Sequence, residues 1–372
     1  MHVSDVTMFY TARSGGIRRY LREKRRWLQS HPGFRHSLVL PRAAAAAGEC
    51  TMEVPSVPLP FSQGYRLPLA RTAAVRALAA LRPNVIEAGD PYQFAWAALD
   101  AGQALGVPVI GFYHSDIPRL VGRVGGAHAA RLAESYVRRL YGRFDLVLAP
   151  SSCMAQRLRA VGIARVEQQP LGVDTTVFRP ALRDEAWRSL LAIGEGERML
   201  VFVGRFASEK NLPVLYSMMD RLGPGYRLVL VGNGGAVPAR DDVRVVSYIT
   251  DPGRLARLVA SCDLFVHAGD QETFGLAPLE AMACGLPVVA ARAGGLAELV
   301  DDEVGRTVPF IDFAALADGM ADAVREVCVE ERRRTLGDNA RRRAEGYDWD
   351  RILPDIVGRY IKLGARTTPR LM

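Results

Sequence analysis

Lysine is almost missing from this chain: Lys24, Lys210 and Lys362 are the three among 48 basic residues, the rest being arginine. The bias reads as codon composition, yet it makes any lysine inside a motif an exception to the chain's habit. Cysteine is scarce and scattered. Cys50, Cys153, Cys262, Cys284 and Cys328 are odd in number and show neither disulfide nor zinc spacing, which fits a reducing cytosol. No apolar run approaches the roughly 18 residues of a membrane-spanning helix. The N-terminus has no basic start followed by an apolar block, so no secretory leader is expected. A G-x-G-x-x-G after the first strand is also lacking, which excludes a dinucleotide-binding fingerprint. The net charge is +8, but no basic groove interleaved with aromatics accompanies it, so nucleic acid is not an expected partner. No internal repeat is visible.

What is present fits a soluble α/β protein, with 49% hydrophobic and 24% charged residues over a length of 372 that favours two domains. In the first half a strand is expected over 3–9, then Ser14-Gly15-Gly16, then a helix from 17 to about 29. A glycine pair ending a first strand lets backbone approach a ligand closely, and serves a tight turn equally well. On the helix, Ile17, Tyr20, Leu21, Trp27 and Leu28 share one face while Arg18, Arg19, Arg22, Arg25 and Arg26 share the other. Those arginines suit either anionic lipid headgroups or a solvated face. Lys24 lies within the apolar arc, where snorkelling is the available account.

The proline-containing stretch 41–63, with its alanine run 43–47, reads as loop. A helix is expected over about 66–81 and a strand over 85–87, at whose carboxyl end stand Asp90 and Tyr92. A strand over 107–113 leads to His114, Ser115 and Asp116. Open parallel sheets bind ligands at such strand ends. A lone histidine is usually structural, but this position gives the functional reading equal weight. A helix over about 129–142, a strand over 146–149 and a helix capped by Ser151 or Ser152 complete the half. The glycine and prolines of 170–180 mark the crossing to a second domain.

The second half restarts with a strand over 199–203. Arg205 then leaves the strand and Lys210 lies where the next helix opens. Two cations at a helix N-terminus oppose its dipole unless an anion lies between them, and a diphosphate answers that. The organising stretch runs from Glu272 through Phe274, Gly275, Leu276 and Pro278 to Glu280. Apolar runs at 263–267 and 288–290 flank it, giving strand, loop, helix, strand. The loop opens a short helix, with Pro278 in its first turn and Gly285 then Pro287 ending it. Its free N–H groups suit a diphosphate. Two carboxylates facing a phosphate would repel it, so Glu272 and Glu280 make better sense as acceptors for sugar hydroxyls on either side. Gly294 and Gly295 open a further short helix.

This stretch, Glu-Thr-Phe-Gly-Leu-Ala-Pro-Leu-Glu-Ala-Met-Ala-Cys-Gly-Leu-Pro-Val-Val-Ala, resembles the retaining glycosyltransferases of family 4, the group 1 glycosyltransferases. A bare Glu-x7-Glu carries nothing; its Phe-Gly, Glu-Ala-Met-Ala and Gly-x-Pro-Val-Val setting is specific. The likeness covers nearly the whole chain and is strongest over 201–305. It implies the GT-B fold: α/β, with two Rossmann-like doubly wound parallel-sheet domains facing a cleft. The implied division is an acceptor domain over 1–172, a donor domain over 173–348, and a terminal helix over 349–372 crossing back to the first.

By the same resemblance Arg205 and Lys210 hold the donor diphosphate, Glu280 takes the ribose, and Glu272 lies against the transferred sugar. Backbone N–H groups around Phe274, Gly275 and Leu276 meet the phosphates. Gly15 and Gly16 face the phosphates across the cleft, and His114 approaches sugar and acceptor. The linker Gly172-Val173-Asp174, with Phe178 and Pro180, and the terminal Tyr347-Asp348-Trp349-Asp350 are shared features as well. Asp348-Trp349-Asp350 matches an Asp-x-Asp metal motif literally, but it precedes a terminal helix, so no metal role is assigned.

The implied reaction is transfer from a nucleoside diphosphate sugar to a hydroxyl with retention and without a metal or other cofactor. The His114-Ser115-Asp116 and Ser-Gly-Gly-Ile-Arg-Arg-Tyr segments favour the mannosyl- and lipid-glycosylating branch, making GDP-mannose the first donor expected and a UDP-sugar the next. The acceptor is a hydroxyl of a lipid, a glycan or a small molecule. The expected location is the cytoplasm, peripheral on the inner face of the cytoplasmic membrane if the arginine face docks there. A sugar-nucleotide epimerase and a non-catalytic sugar-nucleotide-binding protein are the rival readings.

Overall fold

The computed structural model of the chain describes residues 1–11, 15–42, 50–60 and 64–367; Ser14 and the alanine run lie outside the described residues. The chain forms two compact units, residues 1–170 with 350–372, and residues 171–349.

The first unit contains β1 (His2–Val6), β2 (Arg35–Pro41), β3 (Thr51–Val54), β4 (Ser56–Pro58), β5 (Arg66–Pro68), β6 (Val85–Ala88), β7 (Val109–Phe112), β8 (Leu146–Ala149) and β9 (Val166–Gln168). Seven of these make one parallel sheet in the order β3-β2-β1-β6-β7-β8-β9, while β4 and β5 pair as a small antiparallel ribbon. The inner strands β6, β7 and β8 are buried along their whole length. A parallel strand covered on both faces reads as a continuous apolar run, which is why these strands stand out in the sequence. The helix expected over about 66–81 needs correction. Arg66–Pro68 is a strand, and the following helix spans Arg71–Leu81 only, because Pro68 cannot donate within a helix. The stretch before the helix expected at 129–142 is helical as well: Ile117–Tyr141 comprises two helical segments that break at Gly126 (φ 71°, ψ −171°), of which the second is the expected one.

Lys24 does not snorkel. It is fully buried, and its three ammonium protons are shared among four acceptors within reach: Asp5 Oδ1 at 2.6 Å, Glu87 Oε1 at 2.8 Å, and the hydroxyls of Tyr20 and Tyr360 at 3.0 Å each. Tyr360 also donates to Glu87, and His36 contacts Asp5. β1, β6, the helix Gly16–Ser30 and the helix Trp349–Thr367 therefore share one internal polar cluster. Burial pushes the Glu87 carboxyl up; burial opposes charge at Asp5 too, but Lys24 and His36 hold that carboxyl below its usual value.

The second unit contains β10 (Arg198–Val203), β11 (Tyr226–Gly232), β12 (Val243–Ser247), β13 (Leu264–His267), β14 (Val288–Ala291) and β15 (Gly305–Val308), all parallel, in the order β12-β11-β10-β13-β14-β15. Its core runs through Leu200, Phe202, Leu230, Val266 and Val289 to Leu316 and Val324 of a covering helix. The linker and terminal motifs meet here. Val173 donates to the Tyr347 carbonyl at 2.9 Å, and Trp349 donates to the Val173 carbonyl at 3.1 Å. A Cβ on Gly172 would sit 2.7 Å from the Trp349 ring, so only glycine fits. Asp348 accepts from the Thr175 amide at 3.2 Å and from its hydroxyl, which ties this carboxylate to the linker.

Candidate active site

In the second unit the strand order reverses between β10 and β13, which lie side by side. Loops at the carboxyl ends of such a pair splay apart and leave a crevice, the usual ligand position in an open parallel sheet. Gly204 and Arg205 follow β10; Ala268, Gly269 and the loop to Glu272 follow β13. A Cβ on Gly232 would lie 1.9 Å from the Gly204 carbonyl oxygen, so backbones approach at this end more closely than any side chain allows.

Lys210 closes the single 3₁₀ turn Ser208–Lys210 after β10, and its Nζ forms an ion pair with Glu272 Oε1. His267 is buried at the end of β13. Its Nδ1 accepts the Gly269 N–H at 3.1 Å, which leaves the ring proton on Nε2, and Nε2 donates to Glu272 Oε1 at 3.2 Å. A Cβ on Gly269 would come within 2.5 Å of the imidazole, so the glycine is needed for this contact. Burial lowers the His267 pKa and keeps the ring neutral. Burial opposes charge on Glu272 as well, but Lys210 and His267 together hold its carboxyl well below the usual range. Glu272 is therefore an ionised carboxylate with two fixed donors on one oxygen.

Asn211, in the left-handed region at φ 50°, donates from Nδ2 to the Ala268 carbonyl at 3.1 Å and to Asp270 Oδ1 at 3.3 Å. It locks the turn carrying Lys210 to the loop carrying Glu272. Arg205 is half exposed and paired with Glu209 at 2.8 Å. Both cations thus meet carboxylates of the chain itself, so charge repulsion alone does not require an external anion here.

The loop Glu272–Phe274 is backed by Gly294 and Gly295. The Gly295 amide donates to the Glu272 carbonyl at 2.8 Å. A Cβ on Gly294 (φ 53°) would lie 2.0 Å from that same oxygen, and one on Gly295 would meet Phe274 Cα at 2.6 Å. Gly275 caps the helix Leu276–Ala283 at φ 107°, and Glu280 is buried in its second turn. Arg205, Lys210, Glu272, Phe274, Gly275, Leu276 and Glu280 thus all belong to the loops and helix start at the carboxyl ends of two adjacent strands.

The remaining expected residues belong to the first unit. Gly15 is exposed and Gly16 begins the helix Gly16–Ser30. Arg22 and Arg26 are exposed on that helix, while Arg18, Arg19 and Arg25 are half-buried. His114 follows β7, stacks on Phe112 at 4.2 Å, and is neutral: burial, then the charge of Lys24, lower its pKa to about 3. Asp90 is buried and accepts from the amides of Met8 at 2.7 Å and Tyr92 at 2.9 Å, joining the ends of β1 and β6; burial pushes its carboxyl up to about 6. Tyr92 is exposed and edge-on to Phe9. Asp116 pairs with Arg157 and lines a cavity of about 360 Å³ together with Tyr113, Arg119 and Glu134. Among the described residues no group of three or more His, Cys, Asp or Glu side chains is placed to hold a metal ion.

Sequence reasoning missed His267, Gly269 and Asn211, and it read Gly294-Gly295 only as a helix start. The available signal was a histidine and an asparagine at the carboxyl ends of expected strands or turns, which is too common to single out.

Two family descriptions match the chain: "Glycosyltransferase Family 4" over residues 14–177 and "Glycosyl transferases group 1" over residues 183–343. The GDP-mannose-dependent alpha-mannosyltransferase of Mycobacterium tuberculosis (strain CDC 1551 / Oshkosh) is 33% identical over 319 residues, 85% of this chain and 82% of that protein. Sulfoquinovosyl transferase SQD2 of Arabidopsis thaliana is 33% identical over 308 residues, 79% of this chain, which spans 60% of that relative's length. Among solved structures, sucrose-phosphate synthase from Thermosynechococcus elongatus superposes with a TM-score of 0.80 over 98% of this chain and 100% of that one, at 22% identity. That likeness shows the GT-B fold. The chain belongs to the group 1, family 4 glycosyltransferases.

Proposed function

We propose that this glycosyltransferase moves mannose from GDP-mannose to a hydroxyl acceptor with retention at the anomeric carbon and without a metal. The observation that carries the reading is Glu272, held ionised by Lys210 and His267 at the strand reversal of the second unit. An ionised carboxylate fixed from one side suits hydroxyls of a sugar or positive charge developing at an anomeric carbon. Negative charge develops on the departing diphosphate. Lys210, Arg205 and the N-terminus of the helix Leu276–Ala283 supply the opposite charge without a metal. Glu280, on that helix, takes the ribose. No side chain is assigned as a covalent nucleophile, and the leaving phosphate accepts the acceptor's proton on the same face.

The guanine donor rests on the mannosyltransferase relative; a UDP-sugar is the alternative. Asp90, Tyr92, His114 and Asp116 follow the adjacent strands β6 and β7 and are the residues proposed for the acceptor side. The acceptor is a hydroxyl of a lipid, a glycan or a small molecule, and the working location is the cytoplasm. A thermal-shift panel of GDP, UDP and ADP tests the donor site. A ligand at 100 times its dissociation constant adds about 2.7 kcal/mol of stability if it binds only the folded state. A shift with GDP alone supports the proposal, and a shift with UDP alone replaces the donor. No shift with any of them, in folded protein, contradicts the donor-site reading.

A further inference from the structure

The loop over residues 268–275 joins β13 to the helix Leu276–Ala283, and its side chains are tied down one after another. Asp270 Oδ1 accepts from Asn211 Nδ2 at 3.3 Å. Glu272 is held through its carboxylate by Lys210 and His267, and through its carbonyl by the Gly295 amide. Phe274 is buried and packs with Tyr347, their ring centroids 5.9 Å apart. Gln271 stands between two of these fixed residues and differs from them. It is partly buried, and its side-chain oxygen Oε1 is buried with no hydrogen-bond partner among the described residues. A carbonyl oxygen shut away from water without a donor is destabilising, and folded proteins leave few such atoms. One that survives beside a reactive carboxylate points to a partner outside the chain.

Chemistry narrows what that partner is. Oε1 is an acceptor, so the group that satisfies it must carry an O–H or N–H. An ionised diphosphate carries neither, and its oxygens are repelled by a carbonyl oxygen. A sugar ring carries several hydroxyls. Position narrows the choice again. Gln271 directly precedes Glu272, the carboxylate proposed to lie against the transferred sugar, whereas Glu280, proposed for the ribose, lies in the second turn of the helix Leu276–Ala283. Glu272 already commits Oε1 to Lys210 and His267. The neighbouring amide adds an acceptor that brings no further negative charge toward a departing diphosphate. A site built to hydrogen-bond a hydroxyl rejects the analogue that lacks it, because the buried acceptor is then left unpaired. An unpaired amide at this place is therefore suited to telling one sugar from another.

We propose that Gln271 is a specificity-determining residue of the donor site, accepting a hydrogen bond from a hydroxyl of the transferred sugar. The inference rests on the reading of Lys210 and Glu272 as donor-site residues and adds to them the group that recognises the sugar. The test compares the wild-type chain with Gln271→Met, which keeps the length of the side chain and removes its polar end. Titration calorimetry with GDP and GDP-mannose, and with UDP and UDP-glucose, separates nucleotide from sugar. A nucleoside diphosphate that binds should bind both proteins equally. Its nucleotide sugar should bind Gln271→Met about threefold to tenfold more weakly than wild type, the scale of one hydrogen bond. In the free protein the sign reverses. Gln271→Met removes an unpaired buried carbonyl, so its Tm should equal or exceed that of wild type, whereas loss of a group that serves the fold would lower it. The proposal is overturned if Gln271→Met binds the nucleotide sugar as tightly as wild type while the nucleoside diphosphate still binds; the donor site then stands without Gln271. It is overturned as well if affinity for the nucleoside diphosphate falls by the same factor, which would place the side chain on the nucleoside, or if Tm falls along with affinity. Failure of wild type to bind any of the four ligands would contradict the donor-site reading itself, and Gln271 with it.

Discussion

Lys24 and Lys210 each follow the central first strand of their unit's sheet, and their surroundings are opposite. Lys24 is fully buried, and its four partners, Asp5, Glu87, Tyr20 and Tyr360, are buried with it. Lys210 is 16% exposed and is paired with one carboxylate, Glu272, itself 19% exposed. A buried charge with all its partners inside can be removed only at the expense of the fold. A charge at a strand end with one partner and access to solvent can exchange that partner for a ligand. In a chain with so little lysine, one unit puts the side chain to a structural use, and the proposed function gives the other a chemical one.

The largest effect expected from this contrast is on stability. Lys24→Met leaves two buried carboxylates without their cation and should cost about 3–5 kcal/mol in urea unfolding. A loss below about 1 kcal/mol, the scale of an exposed pair, would erase the distinction between the lysines. Next is Gly294→Ala, whose Cβ would collide with the Glu272 carbonyl from a left-handed backbone. It should cost about 1–3 kcal/mol and weaken binding of a nucleoside diphosphate. Unaltered affinity would show that the loop is not held by this contact.

His267→Ala removes one donor to an ionised carboxylate, a loss of about 1.5 kcal/mol or roughly tenfold in kcat, with nucleotide affinity nearly unchanged. His267→Gln should restore part of it. Equal rates for wild type and both variants would remove His267 from the site.

A further difference lies in the pH dependence of stability, where the units should differ in sign. Asp90 in the first unit has its folded value raised from 3.8 to about 6. The native state keeps a proton that the unfolded chain has released, so stability falls as pH rises through that window. Glu272 in the second unit is depressed below its ordinary 4.5, so its contribution is present above that value and is lost on further acidification. Asp90→Asn should flatten the first slope and Glu272→Gln the second, as read from Tm against pH. Parallel slopes in both variants would contradict the assignment.

Legibility in the sequence follows the same contrast. The strand, loop, helix and strand around residues 272–280 could be read because the signals are local. Glu272, Phe274, Gly275 and Glu280 lie within nine consecutive residues, and the neighbouring strands are unbroken apolar runs. Lys24 could not be understood that way, since its partners come from positions 5, 20, 87 and 360 and meet only in three dimensions. The helical segment from Ile117 to the break at Gly126 was hidden because Pro118, Gly122, Gly125 and Gly126 look like loop, although a Cβ on Gly122 or Gly125 would crowd Ala130 or Ala129 of the following segment. His267 gave an ordinary strand-end signal, and only the Gly269 amide reveals which nitrogen faces Glu272.

The most direct test of the central claim is calorimetric titration of GDP, and of guanosine, into wild-type chain and Lys210→Met. The account predicts that Lys210→Met weakens GDP by about tenfold to a hundredfold, the scale of a lost hydrogen bond to a charged group, while guanosine binds both equally and the fold stays intact. Undiminished GDP affinity in Lys210→Met would contradict a diphosphate site at the strand reversal of the second unit.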